Sequence, residues 1–262
     1  MQTDCAQPIA ILTYHQIAPA PAAGTPFADL TVPPQRFARH MARLRALGYT
    51  GLSMQALRPY LQGKRRGRVF GLTFDDGYRN VLEHALPVLA RLGFSATSYM
   101  VAGRAGGHND WDTGQGIAAA PLVDAAQMRE WIAAGNEVGS HTIDHADLTA
   151  CAPAEAERQI AGSRRMLQDM LGSPVDAFCF PYGRFDAAHV EMARRAGYRD
   201  ATTIEPGRVR SGCDMLRLPR IMMYGSTGFA KLALQLGTPL EDLRGWRRAR
   251  RAPAEGRAGG YR

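Results

Sequence analysis

The sequence predicts an α/β fold in which parallel strands alternate with helices and form a barrel or a strongly curved sheet. Short apolar runs typical of strands are followed by runs with helical spacing along most of the chain, a rhythm that indicates parallel strand–helix–strand units. No break in this rhythm divides the chain into two large domains. Its 262 residues, 45% of them hydrophobic, are enough to bury one complete core. The composition therefore excludes a disordered, collagen-like or disulfide-dependent chain.

Apolar runs bounded by glycine, proline or polar residues predict the strands. They are residues 9–14, 68–74, 94–101, 136–141, 176–180, 198–204 and 216–221. Helical spacing, such as that of Phe37, Met41 and Leu44, predicts the helices between them. The predicted helices are residues 37–47, 81–92, 127–134, 153–171 and 186–196. An irregular segment, residues 102–121, follows the third strand, and loops of more than about 15 residues are usually functional or disordered.

The net charge of +8 is concentrated at the C-terminal end of the chain. Residues 244–262 contain seven Arg and one Glu without apolar periodicity. We therefore predict one domain over residues 1–243 and a basic, disordered tail over residues 244–262. Such a tail is usually a solvated segment, and the alternative is a contact with an anionic surface such as phosphate, lipid or an acidic polymer. The nearly balanced remainder gives no reason to expect nucleic-acid binding.

Several other features limit the class of protein. No stretch approaches the roughly 18 continuous apolar residues of a membrane span. The first residues lack the basic region of a signal peptide, which predicts a cytoplasmic protein, or a periplasmic or extracellular one if a leader has been removed. The cysteines at positions 5, 151, 179 and 213 form no CxxC pair, so a cysteine zinc site is not expected.

Reactive residue types recur where the predicted strands end. His15 follows the first strand, and Asp75 and Asp76 follow the second, in the segment LTFDDGY. His141 ends the fourth strand, and Arg220 lies near the end of the last one. Because the carboxyl ends of parallel strands meet on one side of a barrel, we expect these residues to line one pocket.

The segment SHTIDHADL places His141 and His145 four residues apart. This spacing brings two imidazoles together on one helix face or over a tight loop. Two histidines and one carboxylate, which the Asp75–Asp76 pair could supply, suit a divalent transition ion with positions left open for water. Alone, the histidine pair is a weak signal, and Asp-Asp-Gly is often only a turn or a helix cap. Their joint position at strand ends favours a metal site.

Two further features have a structural and a functional interpretation. Pro181 and Tyr182 follow the fifth predicted strand in the segment CFPYGRFD, and they form either a simple turn or a rigid groove wall. In the second case a backbone N–H of the turn would hold a developing oxyanion. Trp111 lies in the long irregular segment, where its ring serves equally well as a core anchor or as a stacking surface for a sugar.

The segments LTFDDGY, SHTIDH and FPYG, in this order, resemble the motifs of the NodB-homology polysaccharide deacetylases of carbohydrate esterase family 4. The resemblance covers residues 9–225 and implies a distorted (β/α)7 barrel. It also implies a hydrolase that uses a divalent metal, most often Zn²⁺, to remove N-acetyl groups from an N-acetylated poly- or oligosaccharide and to release acetate.

The resemblance implies a role for each matching residue. Asp75 matches the catalytic base of the family. Tyr182, next to Pro181, matches the residue whose backbone N–H helps to bind the tetrahedral oxyanion. The residues that match the metal ligands are Asp76, His141 and His145.

The sequence departs from the family pattern in three places. Cys179 stands where the family has an Arg two residues before the Pro, and the Asp-Trp motif has no clear match. The general-acid His of the last strand is also missing. His15 is the candidate for the acid and Arg220 for the Arg, an arrangement similar to the biofilm-polysaccharide N-deacetylase branch. The alternative, purely structural interpretation of His15 is a strand-end histidine that is hydrogen-bonded to a loop.

Competing functions remain open at this point. A histidine pair with this spacing occurs in zinc proteases, but these need Glu after the first His, and Thr142 stands there. Two histidines and a carboxylate also suit a non-haem iron oxygenase. From a different class, a non-catalytic carbohydrate-binding protein on a degenerate deacetylase barrel would explain the missing Arg and His.

Overall fold

Parallel strands form the centre of the molecule, and helices pack against their outer side. The computed structural model describes residues 7–251, apart from the side chains of residues 112, 113, 115 and 251. The strands are β1 (Ile11–Tyr14), β2 (Gln16–Ile17), β3 (Thr31–Val32), β4 (Thr50–Leu52), β5 (Val69–Phe74), β6 (Thr97–Met100), β7 (Glu137–Ser140), β8 (Ala177–Cys179), β9 (Asp200–Pro206) and β10 (Leu218–Met222).

The central sheet closes into a barrel between its first strand and β5. Around the barrel the order is β1, β10, β9, β8, β7, β6 and β5, and β1 pairs again with β5, where Leu12 lies opposite Leu72. All of these pairs are parallel. The seven barrel strands correspond to the seven predicted runs, and the predicted distorted (β/α)7 barrel is confirmed. The short strand β4, which extends the sheet beside β5, was not predicted, because three residues carry no usable periodicity.

The helices begin and end at residues that favour those positions. They are α1 (Pro34–Ala46), α2 (Met54–Leu61), α3 (Arg79–His84), α4 (Leu86–Leu92), α5 (Ala125–Ala133), α6 (Pro153–Leu171), α7 (Ala187–Arg195), α8 (Phe229–Gly237) and α9 (Leu240–Arg251). Asp124 and Asp186 accept backbone N–H groups at the starts of α5 and α7. The predicted helix over residues 81–92 is divided in two near Pro87, which lacks the N–H that a continuous helix needs.

The inside of the barrel is filled by side chains rather than open. Tyr99 is fully buried there, and a Cβ at Gly139 on the neighbouring strand would collide with its ring. Arg220, also fully buried, enters the same space from β10 and donates to the hydroxyls of Thr13 and Thr73 at 3.0 and 3.1 Å. Burying an arginine inside a barrel costs free energy unless its charge is paired and its N–H groups are hydrogen-bonded. Arg220 therefore requires a carboxylate partner nearby.

The C-terminal end differs from its prediction. Residues 244–251 are helical and belong to α9, where a disordered segment was predicted. Asp242 in the first turn of α9 binds Arg208 at 2.9 Å and Arg210 at 3.0 Å, which ties the helix to the segment after β9. Residues 252–262 lie outside the described residues, and the contact of the basic tail with an anionic surface stays a prediction.

Membrane-spanning helices are absent from the part of the chain that the structure describes. None of its helices combines the length and the apolar character that crossing a bilayer requires.

Candidate active site

The residues that follow the barrel strands surround one pocket at the carboxyl end of the barrel. The pocket has a volume of about 260 Å³. Predicted site residues in its wall are His15, Asp75, Asp76, His141, His145 and Tyr182. The barrel topology therefore brings together side chains from four separate strand ends, as expected from the parallel arrangement.

Three of these side chains converge on one point. The Oδ1 atom of Asp76 lies 3.4 Å from Nε2 of His141 and 3.3 Å from Nε2 of His145. All three residues are buried, and their ligand atoms lie within 4.8 Å of one another. Two imidazole nitrogens and one carboxylate form the donor set that a divalent ion of the zinc type uses when it keeps positions open for water or substrate.

A second contact orients His141 for metal binding. Its Nδ1 atom lies 2.8 Å from the backbone oxygen of Cys179. A carbonyl oxygen only accepts hydrogen bonds, so Nδ1 carries the proton and donates it to this bond. Once the ring is neutral, as metal binding requires, its lone pair lies on Nε2, the atom that faces Asp76. The donor set thus fits a metal in chemistry as well as in position.

Backbone strain is concentrated in the same loops. Asp76, Thr142, His145 and Tyr182 have φ angles of 73°, 67°, 57° and 56°, in the left-handed region that residues with a side chain rarely occupy. Each such residue costs of the order of 1–3 kcal/mol, which the surrounding fold must offset. Three of the four belong to the predicted site, and strain of this kind is common where side chains must be aimed into an active site.

Asp75 does not join the metal cluster and is held by Arg220 instead. The guanidinium donates to both carboxylate oxygens at 2.7 Å, from Nη1 to Oδ1 and from Nη2 to Oδ2. A third donor, Nε, bonds the backbone oxygen of Thr203 at 2.8 Å, which fixes the plane of the guanidinium. A further cluster of Asp75, His141 and Cys179 has ligand-type atoms close together, but both oxygens of Asp75 already accept from Arg220.

The electrostatic environment keeps both aspartates ionised. Burial alone would raise the pKa of Asp75, but the charge and hydrogen bonds of Arg220 outweigh burial and lower it. Burial also opposes ionisation of Asp76, whose pKa nevertheless lies well below its usual range because His141 and His145 donate to its carboxylate. Asp75 is therefore ionised at neutral pH, which is one requirement of a general base.

The two histidines of the cluster differ in their proton affinity. Burial lowers the pKa of both rings, and for His145 this effect dominates. For His141 the effect of burial is outweighed by the electrostatic effect of Cys179 and by the hydrogen bond to Asp76. The pKa of His141 is therefore raised well above its usual value. In the metal-free protein His141 is thus the more readily protonated of the two rings, and its Nε2–H donates to Asp76.

Aromatic side chains fix the position of His145. The ring of Trp111 stacks on it at 4.8 Å between centroids, and the ring of Tyr182 meets it edge-on at 4.5 Å. Trp111 also packs against the main hydrophobic core, so the structure favours the anchor interpretation of this residue over the sugar platform. Pro181 is buried at the start of the turn, and Tyr182 follows it at the pocket wall.

Sequence reasoning missed several residues of the pocket. Asp147 and Arg184 line it and form an ion pair with each other. Both lie within two residues of a recognised motif, a signal that could have identified them. Phe27 and Leu30 reach the pocket from the loop after β2, where nothing in the sequence marks them.

The chain is similar to known proteins along most of its length. A family model described as Polysaccharide deacetylase matches residues 62–201. YxkH of Bacillus subtilis, provisionally a polysaccharide deacetylase, is 30% identical over 233 residues, which is 88% of this chain and 77% of that protein. The poly-beta-1,6-N-acetyl-D-glucosamine N-deacetylase of Staphylococcus epidermidis is 23% identical over 205 residues, 74% of this chain and 68% of that one.

A solved structure shares the fold. The Streptococcus pyogenes deacetylase PplD, in complex with acetate, superposes with a TM-score of 0.76 at 26% identity and covers 87% of this chain and 98% of its own. The barrel, the ordered motifs and these similarities agree with the resemblance drawn from the sequence. The chain belongs to the polysaccharide deacetylase family and contains its NodB-homology domain.

Proposed function

We propose that this protein is a metal-dependent hydrolase that removes N-acetyl groups from an N-acetylated amino-sugar polymer or glycan and releases acetate. The observation that carries the proposal is the joint position of two groups in one pocket: the cluster of Asp76, His141 and His145, and the carboxylate of Asp75 held by Arg220. The first group would hold a metal ion that acts as a Lewis acid, and the second would act as a base. Amide hydrolysis needs both.

Asp76, His141 and His145 would hold the metal. Their nitrogen and carboxylate donors favour Zn²⁺ among divalent ions, and other transition ions suit the same set. When bound, such an ion polarises the amide carbonyl and lowers the pKa of a coordinated water from about 15.7 toward about 7. The contact of His141 with the Cys179 carbonyl supports the assignment, since metal-binding histidines nearly always donate their other N–H to such a group.

Asp75 would accept the proton of the attacking water. Its two bonds to Arg220 fix the carboxylate at the pocket wall, and its lowered pKa leaves it ionised and ready to act. General base catalysis by a positioned side chain contributes about 10²–10⁴-fold to the rate. Arg220 contacts Asp75 rather than the pocket, so we assign it a positioning role.

The remaining roles concern the oxyanion and the leaving group. The backbone N–H of Tyr182 would donate to the oxyanion, and the strained φ of this residue supports a conformation chosen for that purpose. His15, buried in the pocket wall, would give a proton to the departing sugar amine. Without that proton an amine anion would have to leave, which is far less favourable.

The substrate class rests on the relatives. The Staphylococcus epidermidis relative is named as a poly-beta-1,6-N-acetyl-D-glucosamine N-deacetylase, which supports an N-acetylated amino-sugar polymer as the substrate here. Tyr182, at the pocket wall directly after the buried Pro181, would supply a firm groove wall for such a chain. Trp111 remains a candidate sugar contact only if substrate reaches the face of its ring that does not cover His145.

A test of the proposal measures acetate. The purified protein, stripped of metal and then supplied with Zn²⁺, should release acetate from N-acetylglucosamine oligomers, and chelation should abolish the release. Saccharide binding without acetate release after metal addition would instead support the non-catalytic carbohydrate-binding alternative. Oxygen consumption with Fe²⁺ would support an oxygenase and overturn the hydrolase.

A further inference from the structure

A second cavity of about 290 Å³ adjoins the candidate active site. It lies between the ends of β9 and β10 and the helices α8 and α9. Ile204 lines both cavities, and Arg220, which holds Asp75 of the first, forms part of the wall of the second. A substrate group next to the reacting sugar could therefore enter this cavity.

The wall of this cavity carries excess positive charge. Arg244 is paired with Glu241 at 2.7 Å, and Arg220 is paired with Asp75. Lys231 and Arg248 also line the cavity, and within the described part of the chain no ion pair neutralises either of them. The positive charges of Lys231 and Arg248 remain for a ligand, because Glu241, the acidic side chain of the wall, is already paired with Arg244.

A buried acceptor in the same wall also lacks a partner. Gln235 is 3% exposed, and its Nε2 donates to Glu241 at 2.9 Å. Its Oε1 has no hydrogen-bond partner among the described residues. Leaving a buried acceptor unpaired is unfavourable, so this atom favours a ligand that brings a hydroxyl. Saccharides supply hydroxyl donors beside any charged substituent.

We propose that this cavity is a subsite for a negatively charged group, a phosphate or a carboxylate, on the glycan next to the N-acetylated sugar. Lys231 and Arg248 would bind the anion, and Gln235 would accept from a neighbouring hydroxyl. The proposal rests on the proposed deacetylase function and adds to it that the preferred substrate is an acidic glycan. Exposed cations bind such groups more weakly as salt increases, because mobile ions screen them.

The first experiment measures binding without turnover. Titration calorimetry of inorganic phosphate and, separately, of glucuronate would compare the full-length protein with Lys231→Gln/Arg248→Gln. We expect one of the two anions to bind, which identifies the source of the charge, and the double variant to bind it about tenfold more weakly or worse. Arg247→Gln, on the same helix but outside the cavity wall, is the matched control and should bind like the wild type.

The second experiment measures selectivity. The N-acetylglucosamine oligomer that the protein deacetylates is compared with the same oligomer carrying a phosphate ester or a carboxylate. We expect a higher kcat/KM for one acidic oligomer, and the double variant should lose at least about fivefold more on that oligomer than on the neutral one. Equal losses on both oligomers, or anion binding that survives in the double variant, would overturn the subsite. If the wild type releases no acetate while anion binding is lost in the double variant, the deacetylase function fails and the anion site stands.

Discussion

Arg220 binds Asp75 through two parallel hydrogen bonds of 2.7 Å, although 145 residues separate them in the sequence. The family pattern places its Arg at the position of Cys179, on a different strand. Here the Sγ atom of Cys179 lies 3.1 Å from Nη2 of Arg220 and 3.7 Å from Asp75. The small thiol of Cys179 leaves space for the guanidinium, which enters from β10. We therefore expect Arg220 to take the role that the family pattern gives to an Arg on the strand of Cys179.

This exchange of positions predicts a rescue. Arg220→Ser should lower kcat by about 100-fold or more, because Asp75 loses its orientation and displaced catalytic groups cost rates of this order. It should also move the acidic limb of the pH profile of kcat/KM upward, since Arg220 lowers the pKa of Asp75. Adding Cys179→Arg to that variant should raise kcat at least about tenfold, because it supplies a guanidinium from β8.

The control for the rescue is Cys179→Arg alone. In the wild-type background it places two guanidinium groups in one space and should lower activity. If the acidic limb of the pH profile of kcat/KM does not move in Arg220→Ser, Arg220 supports only the fold. Thermal melts of each variant would detect such a fold defect.

The base and the metal ligands should respond differently to substitution. Asp75→Asn keeps the shape of the side chain and lies outside the metal cluster, so it should retain metal and lose about 10²–10⁴-fold in turnover. Asp76→Ala and His141→Ala should lose the metal itself. Metal content after gel filtration, measured beside acetate release, checks both expectations. Near-normal acetate release by Asp75→Asn would contradict the assignment of the base.

Metal binding should depend on pH in a defined direction. The pKa of His141 is raised well above its usual value in the metal-free protein, mainly through Cys179 and Asp76 against the effect of burial. Binding a metal requires the neutral ring and must release this proton. Affinity should therefore fall by about tenfold for each pH unit below that pKa.

Calorimetry in buffers with different heats of ionisation would count the released proton. His189→Gln is the control, because His189 caps α7 and lies outside the pocket wall. A proton count of zero at neutral pH would show that His141 is already neutral before the metal binds.

Much of the site was predictable because the carboxyl ends of parallel strands must meet. Residues directly after a strand, such as Asp76 and His141, are placed by the strand itself, so their short motifs were sufficient. The pairing of Arg220 with Asp75 is a contact between distant strands and could be suggested only by elimination. Trp111 shows the limit of local reasoning: its ring covers His145, a relation that depends on the path of a 20-residue loop.

The C-terminal helices show a different limit. The arginines of residues 244–251 predicted a solvated tail, because a segment rich in charge and poor in apolar residues cannot bury enough surface to fold by itself. The first turn of α9 is held from outside the helix by Arg208, whose Nη2 donates to Asp242 at 2.9 Å. Tertiary ion pairs of this kind do not leave a periodic signal in the sequence. The acidic-glycan subsite lies on the same helix and was missed for the same reason.

His15 as general acid predicts a dependence on the leaving group. His15→Gln should lower acetate release from an N-acetylated oligosaccharide by about 10²–10⁴-fold, because the amine leaves only after protonation. Hydrolysis of p-nitrophenyl acetate needs no such proton and should change by less than about threefold. His84→Gln, on α3 outside the pocket wall, is the matched control. Equal losses on the amide and the ester would contradict the acid role and indicate a general effect on the pocket.

The opposite end of the barrel contains a buried acidic network that should make stability depend on pH. Asp200, at the start of β9, is fully buried and accepts from Nε of Arg58 at 2.9 Å. Glu137, at the start of β7, accepts from Thr97 and lies 3.9 Å from the same guanidinium. One arginine thus faces two buried carboxylates. Burial, followed by the charge of Glu137, raises the pKa of Asp200 to about 7.

A carboxyl whose pKa is higher in the folded protein than in the unfolded chain binds its proton more tightly when folded. Its contribution to stability is complete below the unfolded value of about 4 and is lost as pH rises through about 7. Between pH 6 and 8 the free energy of unfolding should fall by about 1 kcal/mol through this group. Asp200→Asn should remove that decline, while Asp214→Asn, at an exposed ion pair, should keep it. Urea unfolding at both pH values measures the difference, and equal declines in the wild type and Asp200→Asn would show that a group other than Asp200 causes the decline.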